Sequence, residues 1–213
     1  MGLAMVAGGV LLTALQQAAA QDLSSNDLRD IRIGIAVADL PSVGYADFSC
    51  AADADRKPSG WSDWRNCPLG ADELRALRFG YDPATSRNGT VVAGHPAVLT
   101  ALIDNAGTVA GLKIETDPKA RFYLRKKAFL FGPQVKARYG PDGWACTHAQ
   151  PEAGEQPVGG VYVKERCTKT IEGRAVVVER NLFRQAGKDE KNFVDETRVT
   201  ILRAHSQSGM GLN

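Results

Sequence analysis

Four cysteines in two local pairs constrain this chain more than any other feature of its sequence. Cys50 lies close in sequence to Cys67, and Cys146 lies close to Cys167. Sequence alone permits three pairings of four cysteines. We expect the local pairs, Cys50–Cys67 and Cys146–Cys167, because each then closes a loop within its own half of the chain. Each bridge would contribute roughly 3 kcal/mol by restricting the unfolded chain.

A metal site is the alternative use of these cysteines. Structural zinc sites usually bring two cysteines within ~2–4 residues of each other, and no two cysteines here are that close. Cys146-Thr147-His148 could place two ligands together, but this single pair does not outweigh the absence of closely spaced cysteines. We therefore expect disulfides, with no bound metal and no cofactor.

The N-terminal segment is typical of an export signal. Residues 1–21 contain no Asp, Glu, Lys or Arg, and Ala18-Ala19-Ala20 offers a small-residue cleavage site. We predict a signal peptide over 1–20 that is cleaved after Ala20, and a periplasmic or secreted protein. The alternatives are a start site further upstream, since no Lys or Arg precedes the apolar run, or an uncleaved anchor. Gln16 and Gln17 interrupt the run short of the ~20 residues that a spanning helix needs.

Composition excludes several classes of protein. The chain is 44% hydrophobic, which argues against wholesale disorder. Its net charge is only +2, so nucleic acid is not an expected partner. Beyond the leader there is no apolar stretch long enough to span a bilayer, so we expect no stable membrane insertion after cleavage. Residues 205–213 are predicted to form a flexible tail.

A residue pattern that occurs in both halves of the chain suggests a tandem repeat. Gly34 and Val37 precede the sequence Phe-Ser-Cys that ends at Cys50, and Gly132 and Val135 precede the sequence Trp-Ala-Cys that ends at Cys146. We therefore predict an α+β fold of two tandem modules, 21–116 and 117–204. Each would be a short helical segment followed by an antiparallel sheet of about four strands, with one local disulfide.

Local patterns place the elements of this fold. Ser24-Ser25-Asn26 is expected to cap a short helix that ends near Gly34. Asp117-Pro118 is typical of a helix start, and the apolar residues after it fall on two faces, so this linking helix is predicted to pack between the two sheets. Asn105-Ala106-Gly107 indicates a hairpin. The predicted strands are Tyr45–Cys50, 73–81, 97–104, 108–116, 144–149, 160–168, 174–183 and 196–203.

This order of helix and then strands, with one bridge in each half, resembles the tandem modules of the β-lactamase-inhibitor-protein type. The resemblance is of architecture only and implies no functional residues.

Trp61 and Trp64 are the first candidate binding residues. They lie in a polar loop that the first disulfide would hold at its base. Two fixed tryptophans form a contact surface of the kind found at protein interfaces. The alternative is that the rings fold back over the first sheet as a lid on the core.

Four basic residues of the linking helix are the second candidate set: Arg121, Arg125, Lys126 and Lys127. They would bind an anionic partner, such as lipid headgroups or an acidic protein face. The alternative is that their long stems cover apolar surface while their charges stay in water.

No catalytic motif is present in the sequence, and His95, His148 and His205 occur in unrelated contexts. We therefore predict an exported, non-catalytic binding or accessory module of the bacterial periplasm or cell envelope, with a protein or anionic envelope partner. One alternative is a carrier for a small ligand or metal, and another is an enzyme whose site forms only on folding. Oligomeric state is left open.

Overall fold

The computed structural model describes residues 26–188 and 192–204, and these residues form one ten-stranded antiparallel sheet. The order of its main strands is β1-β2-β4-β5-β10-β9-β8-β6, with the short β3 paired to β4 and the short β7 paired to β9. The strands are β1 (Tyr45–Cys50), β2 (Arg75–Tyr81), β3 (Val91–Val92), β4 (His95–Ile103), β5 (Val109–Thr116), β6 (Ala145–His148), β7 (Glu155–Gln156), β8 (Val163–Ile171), β9 (Arg174–Gln185) and β10 (Phe193–Arg203).

The prediction of two tandem modules is wrong. The last strand, β10, does not stay with the second half of the chain but lies between β5 and β9. Val199 faces Ile114 of β5 on one side and Val178 of β9 on the other, and all three are buried. Both halves therefore share one core and one continuous sheet, and the resemblance to tandem inhibitor modules is lost with the modules.

The repeat failed because its echoed residues adopt different structures. Gly34 has a positive φ of 98° and turns the chain before Val37 enters a single 3-10 turn. Gly132 lies inside a helix, where a Cβ atom would clash with the side chain of Arg180. One glycine is needed for its backbone conformation and the other for close packing, so the shared letters carry no shared fold.

The helical segment and the N-terminal turns lie on one face of the sheet, which we call the inner face. Alternation places Phe193, Asp195, Thr197, Val199 and Ile201 of β10 on the inner face, and four of the five are buried. The β4–β5 hairpin turns at Gly107, as predicted, with a positive φ of 83°.

The linking helix begins at Phe122 and not at Asp117-Pro118, is interrupted, and covers the inner face of the one sheet. It consists of α1 (Phe122–Arg125), a 3-10 turn (Ala128–Leu130) and α2 (Phe131–Arg138). Asp117 does not cap it; its carboxylate accepts a hydrogen bond from the Lys119 N–H in a preceding turn. Ala128 is anchored to β10, because its carbonyl accepts a hydrogen bond from the buried Thr197 hydroxyl at 2.9 Å.

The N-terminal part of the chain covers the other end of the inner face. Residues 26–34 form turns instead of the predicted helix. Trp61, in a 3-10 segment (Trp61–Asn66), packs its ring on Tyr45 of β1 and Phe79 of β2 with centroids 5.2 and 4.9 Å apart. Aromatic pairs at this separation stabilise beyond their buried area, so this end is sealed by ring contacts.

Both disulfides have the predicted local pairing, Cys50–Cys67 and Cys146–Cys167. Stable disulfides are typical of oxidising compartments, so they fit an exported protein. None of the helices in the described part of the chain has the length and apolar character needed to cross a bilayer. The predicted signal peptide and the predicted tail both lie outside the described residues.

Candidate functional site

An apolar groove of about 750 Å³ opens between the start of the helical segment, the loop after β7 and the sheet. This volume is within the ~300–1,000 Å³ range of small-molecule sites. Its walls are three pairs of apolar side chains: Phe122 and Phe129 from the helical segment, Val158 and Val161 from the loop, and Leu182 and Phe193 from β9 and β10. Val161 is 48% exposed, so the groove presents apolar surface to solvent.

The loop wall of the groove is held by a tight turn. Val158 and Val161 exchange backbone hydrogen bonds of 2.9 and 3.0 Å across Gly159 and Gly160. Both glycines have positive φ, 56° and 82°, which is the requirement of a two-residue hairpin turn. The Gly-Gly pair therefore allows the two valines to stand side by side as one apolar edge.

Basic side chains surround the groove. Lys126 places its Nζ 4.6 Å from the centre of the Phe122 ring. The Arg125 guanidinium lies 5.8 Å from the ring centre of Phe122 and 5.9 Å from that of Phe193. Arg184 of β9 also lines the groove. The apolar walls thus end at three cationic groups, an arrangement that suits an elongated apolar ligand with an anionic head.

A buried carboxyl group, Asp195, lies at the floor of the groove. Among the described residues, neither of its oxygens has a hydrogen-bond partner of normal geometry. Burial raises the pKa of Asp195 to about 7, although the Phe129 backbone and the guanidiniums of Arg180 and Arg125 limit the rise. Near neutral pH the group is therefore divided between a carboxylate, which repels an anion, and a neutral acid, which donates a hydrogen bond to one.

The structure brings two of the four predicted helix cations to this groove. Arg125 and Lys126 lie against its aromatic wall, as described above. Arg121 is exposed just before α1. Lys127 acts on a different group: its charge, together with burial as the larger cause, lowers the pKa of His95. Only Arg125 and Lys126 of the four therefore enter the proposal below.

Trp61 and Trp64 lie at the other end of the sheet, where both are buried, with 5% and 4% of their surface exposed. Trp64 packs over the hairpin turn, with its ring 3.3 Å from the Cβ position of Gly107. This burial favours the alternative, that the rings are a lid on the core, and partner binding through them is not part of our proposal.

Beside the buried Phe131 and Val135 of α2, a small set of charged groups also joins the helix to the sheet. Glu165 of β8 accepts hydrogen bonds from Lys136 at 3.2 Å and from Arg180 at 3.1 Å. We call these three residues the polar layer. Burial alone would raise the pKa of Glu165, but the hydrogen bonds and charges of Lys136 and Arg180 hold it below its ordinary value.

The two described histidines are not arranged as a catalytic pair. His95 is buried, and its ring packs 5.6 Å from the centre of Phe131. His148 is exposed on β6, and its Nδ1 is 3.8 Å from Glu165, whose other oxygen already accepts from Lys136 and Arg180. A general base needs a partner that orients it, and here the nearest carboxylate is committed to the polar layer.

One trio of potential metal ligands occurs in the described residues: Cys146, Glu165 and Cys167. Both of its sulfur atoms are joined to each other in the second disulfide. Metals bind the thiolate form of cysteine, so this trio is not a metal centre in the oxidised protein.

Sequence reasoning missed Asp195, although a signal was present. The alternation of Phe193, Thr197, Val199 and Ile201 marks the inner face of β10, and Asp195 falls on that face. An acid at an inward position is rarely buried without a reason. We began this strand at residue 196, which removed Asp195 from the pattern.

No protein-family model matches the chain, and no curated protein or solved structure matches it significantly.

Proposed function

We propose that this protein is an exported binding protein of the cell envelope and that its groove binds a single-chain anionic amphiphile. The proposal depends on one observation: the six apolar side chains that line the groove lie next to three cations, Arg125, Lys126 and Arg184. An acyl chain along the walls would remove their apolar surface from water, which contributes roughly 25 cal/mol per Å². The headgroup would then lie among the cations.

The electrostatics of the groove support an anion over a cation. Asp195 is the single acidic residue among those that line it, and burial keeps that acid partly protonated at neutral pH. The rim therefore has a net positive charge under most conditions. A neutral Asp195 adds a hydrogen-bond donor that a phosphate or carboxylate oxygen can accept.

Calorimetric titration with lysolipids below their micellar concentration tests this proposal. Lysophosphatidylglycerol and lysophosphatidylcholine share one acyl chain, but the first headgroup is anionic and the second zwitterionic. We expect the anionic lipid to bind roughly tenfold more tightly, which corresponds to ~1.4 kcal/mol. Oleate serves as a third probe, because its binding tells whether a carboxylate replaces the phosphate.

Variants locate the binding site. Val161→Asp places a charge in the apolar wall and should abolish binding, whereas Val43→Asp changes a valine that is 73% exposed elsewhere and should not. The double variant Arg125→Gln/Lys126→Gln should remove the preference for the anionic lipid. The double variant Lys57→Gln/Lys119→Gln, at two exposed positions outside the groove lining, is its charge-matched control. Equal binding of both lysolipids by the wild type, or undiminished binding by Val161→Asp, would reject the proposal.

A further inference from the structure

The two disulfides differ in how an external reagent reaches them. Cys50 and Cys67 are both enclosed, with 0% and 1% of their surface exposed. Cys146 is exposed on β6, a strand of four exposed residues at the end of the sheet. Its partner Cys167 is 0% exposed. Of the two residues in the second disulfide, Cys146 is therefore the one that is open to an incoming thiolate.

The buried sulfur of this disulfide lies beside a cation. The Lys136 Nζ is 3.6 Å from the Cys167 Sγ. The same ammonium and the Arg180 guanidinium share a single carboxylate, that of Glu165. The Glu165 carboxylate lies within 4.8 Å of both sulfurs, but it is shared by the two cations, and the ammonium of Lys136 is the cation in contact with the Cys167 sulfur. Such surroundings stabilise a thiolate over a thiol.

We propose that Cys146–Cys167 is a thiol–disulfide exchange site that reacts with an external dithiol, with Cys146 as the attacked sulfur and Cys167 as the leaving group. This inference is independent of the groove and goes beyond the proposed function. It rests on the exposure of one sulfur, the burial of the other, and the position of Lys136. The first disulfide has none of this asymmetry.

The reaction balances without a further oxidant or reductant. The thiolate of the dithiol forms a new S–S bond to the Cys146 sulfur, and the electron pair of the old S–S bond passes to the Cys167 sulfur, which becomes a thiolate next to Lys136. The second thiol of the reagent then attacks the reagent sulfur that is bonded to Cys146. This step closes the disulfide of the reagent and releases the Cys146 thiolate. The protein gains two thiols, and the dithiol leaves as a disulfide.

Reduction would release the edge of the sheet. In the described structure β6 pairs only with β8, and Cys146 faces Cys167 directly in that pairing. Without the covalent bond, a four-residue exposed strand has little to hold it. The exchange reaction is therefore linked to exposure of the β8 edge.

The experiment uses the folded, oxidised protein with two probes. Dithiothreitol measures the rate at which each disulfide opens, by alkylation and peptide mapping, and glutathione traps the mixed disulfide. We expect Cys146–Cys167 to open at least ~10 times faster than Cys50–Cys67, and glutathione to be found on Cys146. Lys136→Gln should slow the opening by roughly threefold to tenfold, because the leaving thiolate loses its cation.

Three further measurements separate this proposal from a general loss of stability. Lys136→Arg should restore the rate, and Lys119→Gln, at an exposed position, should leave it unchanged. In denaturant, where the folded surroundings are gone, wild type and Lys136→Gln should react at the same rate. Glutathione found on Cys167, equal rates for the two disulfides in the folded protein, or equal rates for Lys136→Gln and Lys119→Gln would overturn the proposal.

Discussion

The two ends of the sheet are covered by different chemistry. At the end formed by β1, β2 and β4, the ring of Trp61 lies directly on Phe79, with centroids 4.9 Å apart. At the end formed by β10, β9, β8 and β6, the helical segment rests on the polar layer of Lys136, Glu165 and Arg180. The first cover is a cluster of aromatic rings with Arg29 stacked at its margin, 4.2 Å from the centre of the Tyr81 ring. The second cover places a carboxylate and two cations between the helical segment and the sheet.

This difference separates the enclosed disulfide from the exposed one. The ring cluster encloses both sulfurs of the first disulfide, and the lining of the cavity of about 530 Å³ beside Trp61 and Trp64 has Arg65 as its one charged residue. Charged groups need partners and room for them, so the helical segment leaves a groove beside it and an exposed strand beyond it. We infer that the apolar end supplies most of the stability and the polar end supplies the reactive and ligand-binding surfaces.

The largest expected effect is at the apolar end. Trp61→Ala should lower the free energy of unfolding by about 3–5 kcal/mol, because it removes a buried ring and leaves a cavity. Trp144→Ala at the polar end should cost less than half as much, since Trp144 is partly exposed and its indole N–H donates one hydrogen bond of 2.8 Å to Gly140. Urea unfolding measures both.

The comparison fails if the two tryptophan variants lose equal stability. Lysolipid binding by Trp61→Ala, measured at a temperature where it is folded, should stay at the wild-type level. Lost binding with unchanged unfolding would instead support a contact surface at Trp61.

The disulfides give the second contrast. Their sequence separations are 17 and 21 residues, so the entropy of loop closure predicts nearly equal contributions of roughly 3 kcal/mol. The double variant Cys50→Ala/Cys67→Ala also opens space in the core and should cost about 4 kcal/mol. Cys146→Ala/Cys167→Ala should cost about 2–3 kcal/mol, because the edge strand frays. Unfolding in guanidinium chloride measures the free energy of unfolding of both variants. A larger loss for Cys146→Ala/Cys167→Ala would contradict the comparison.

Local elements of the fold were predictable from sequence, but their arrangement was not. The strand at Tyr45–Cys50 and the hairpin around Gly107 follow from alternation and turn chemistry, which are local. The placement of β10 between β5 and β9 joins residues far apart in the chain, such as Ile114 and Val199. Nothing in a local pattern specifies that pairing, and the cysteine spacing favoured the wrong arrangement.

The candidate site was half predictable for the same reason. Arg125 and Lys126 belong to a visible run of basic residues. Their aromatic and acidic neighbours, Phe193 and Asp195, are contributed by a strand about seventy positions later, which only the fold brings there. Trp61 stands out in the sequence as a candidate contact residue, but its burial depends on Tyr45 and Phe79, which only the fold brings to it.

The polar layer provides the third test. Glu165→Gln leaves the Lys136 and Arg180 charges without their anion and should cost about 2–3 kcal/mol in the free energy of unfolding, because the Glu165 side chain is only 9% exposed. Glu152→Gln is the matched control: its side chain is 73% exposed and pairs with Lys164, so the loss should stay under about 1 kcal/mol. Thermal unfolding at one pH compares them. Equal losses would show that the layer is solvated and does not support the helix.

The smallest expected effect is a gain of stability at the groove. The folded protein holds the proton of Asp195 up to about pH 7, whereas the unfolded chain releases it near pH ~3.9. The folded state therefore binds more protons over this range, and the free energy of unfolding falls as the pH rises from about 4 to about 7. Asp195→Asn removes this pH-dependent loss. The free energy of unfolding of the variant should equal that of the wild type at pH 4 and exceed it by roughly 1–2 kcal/mol at pH 8, a figure discounted for the partial exposure of the side chain.

Ligand binding gives the same substitution a second readout. Lysophosphatidylglycerol keeps its charge from pH 6 to pH 8, so any change in its affinity over that range reports the protein. The wild type should bind it more tightly at pH 6, where Asp195 is mostly neutral, and Asp195→Asn should bind equally at both pH values. Asp142→Asn, an exposed position away from the groove, should keep the wild-type dependence. If the affinity of Asp195→Asn for the lipid also depends on pH, then Asp195 does not face the ligand, and the anionic headgroup is bound by the cations of the groove alone.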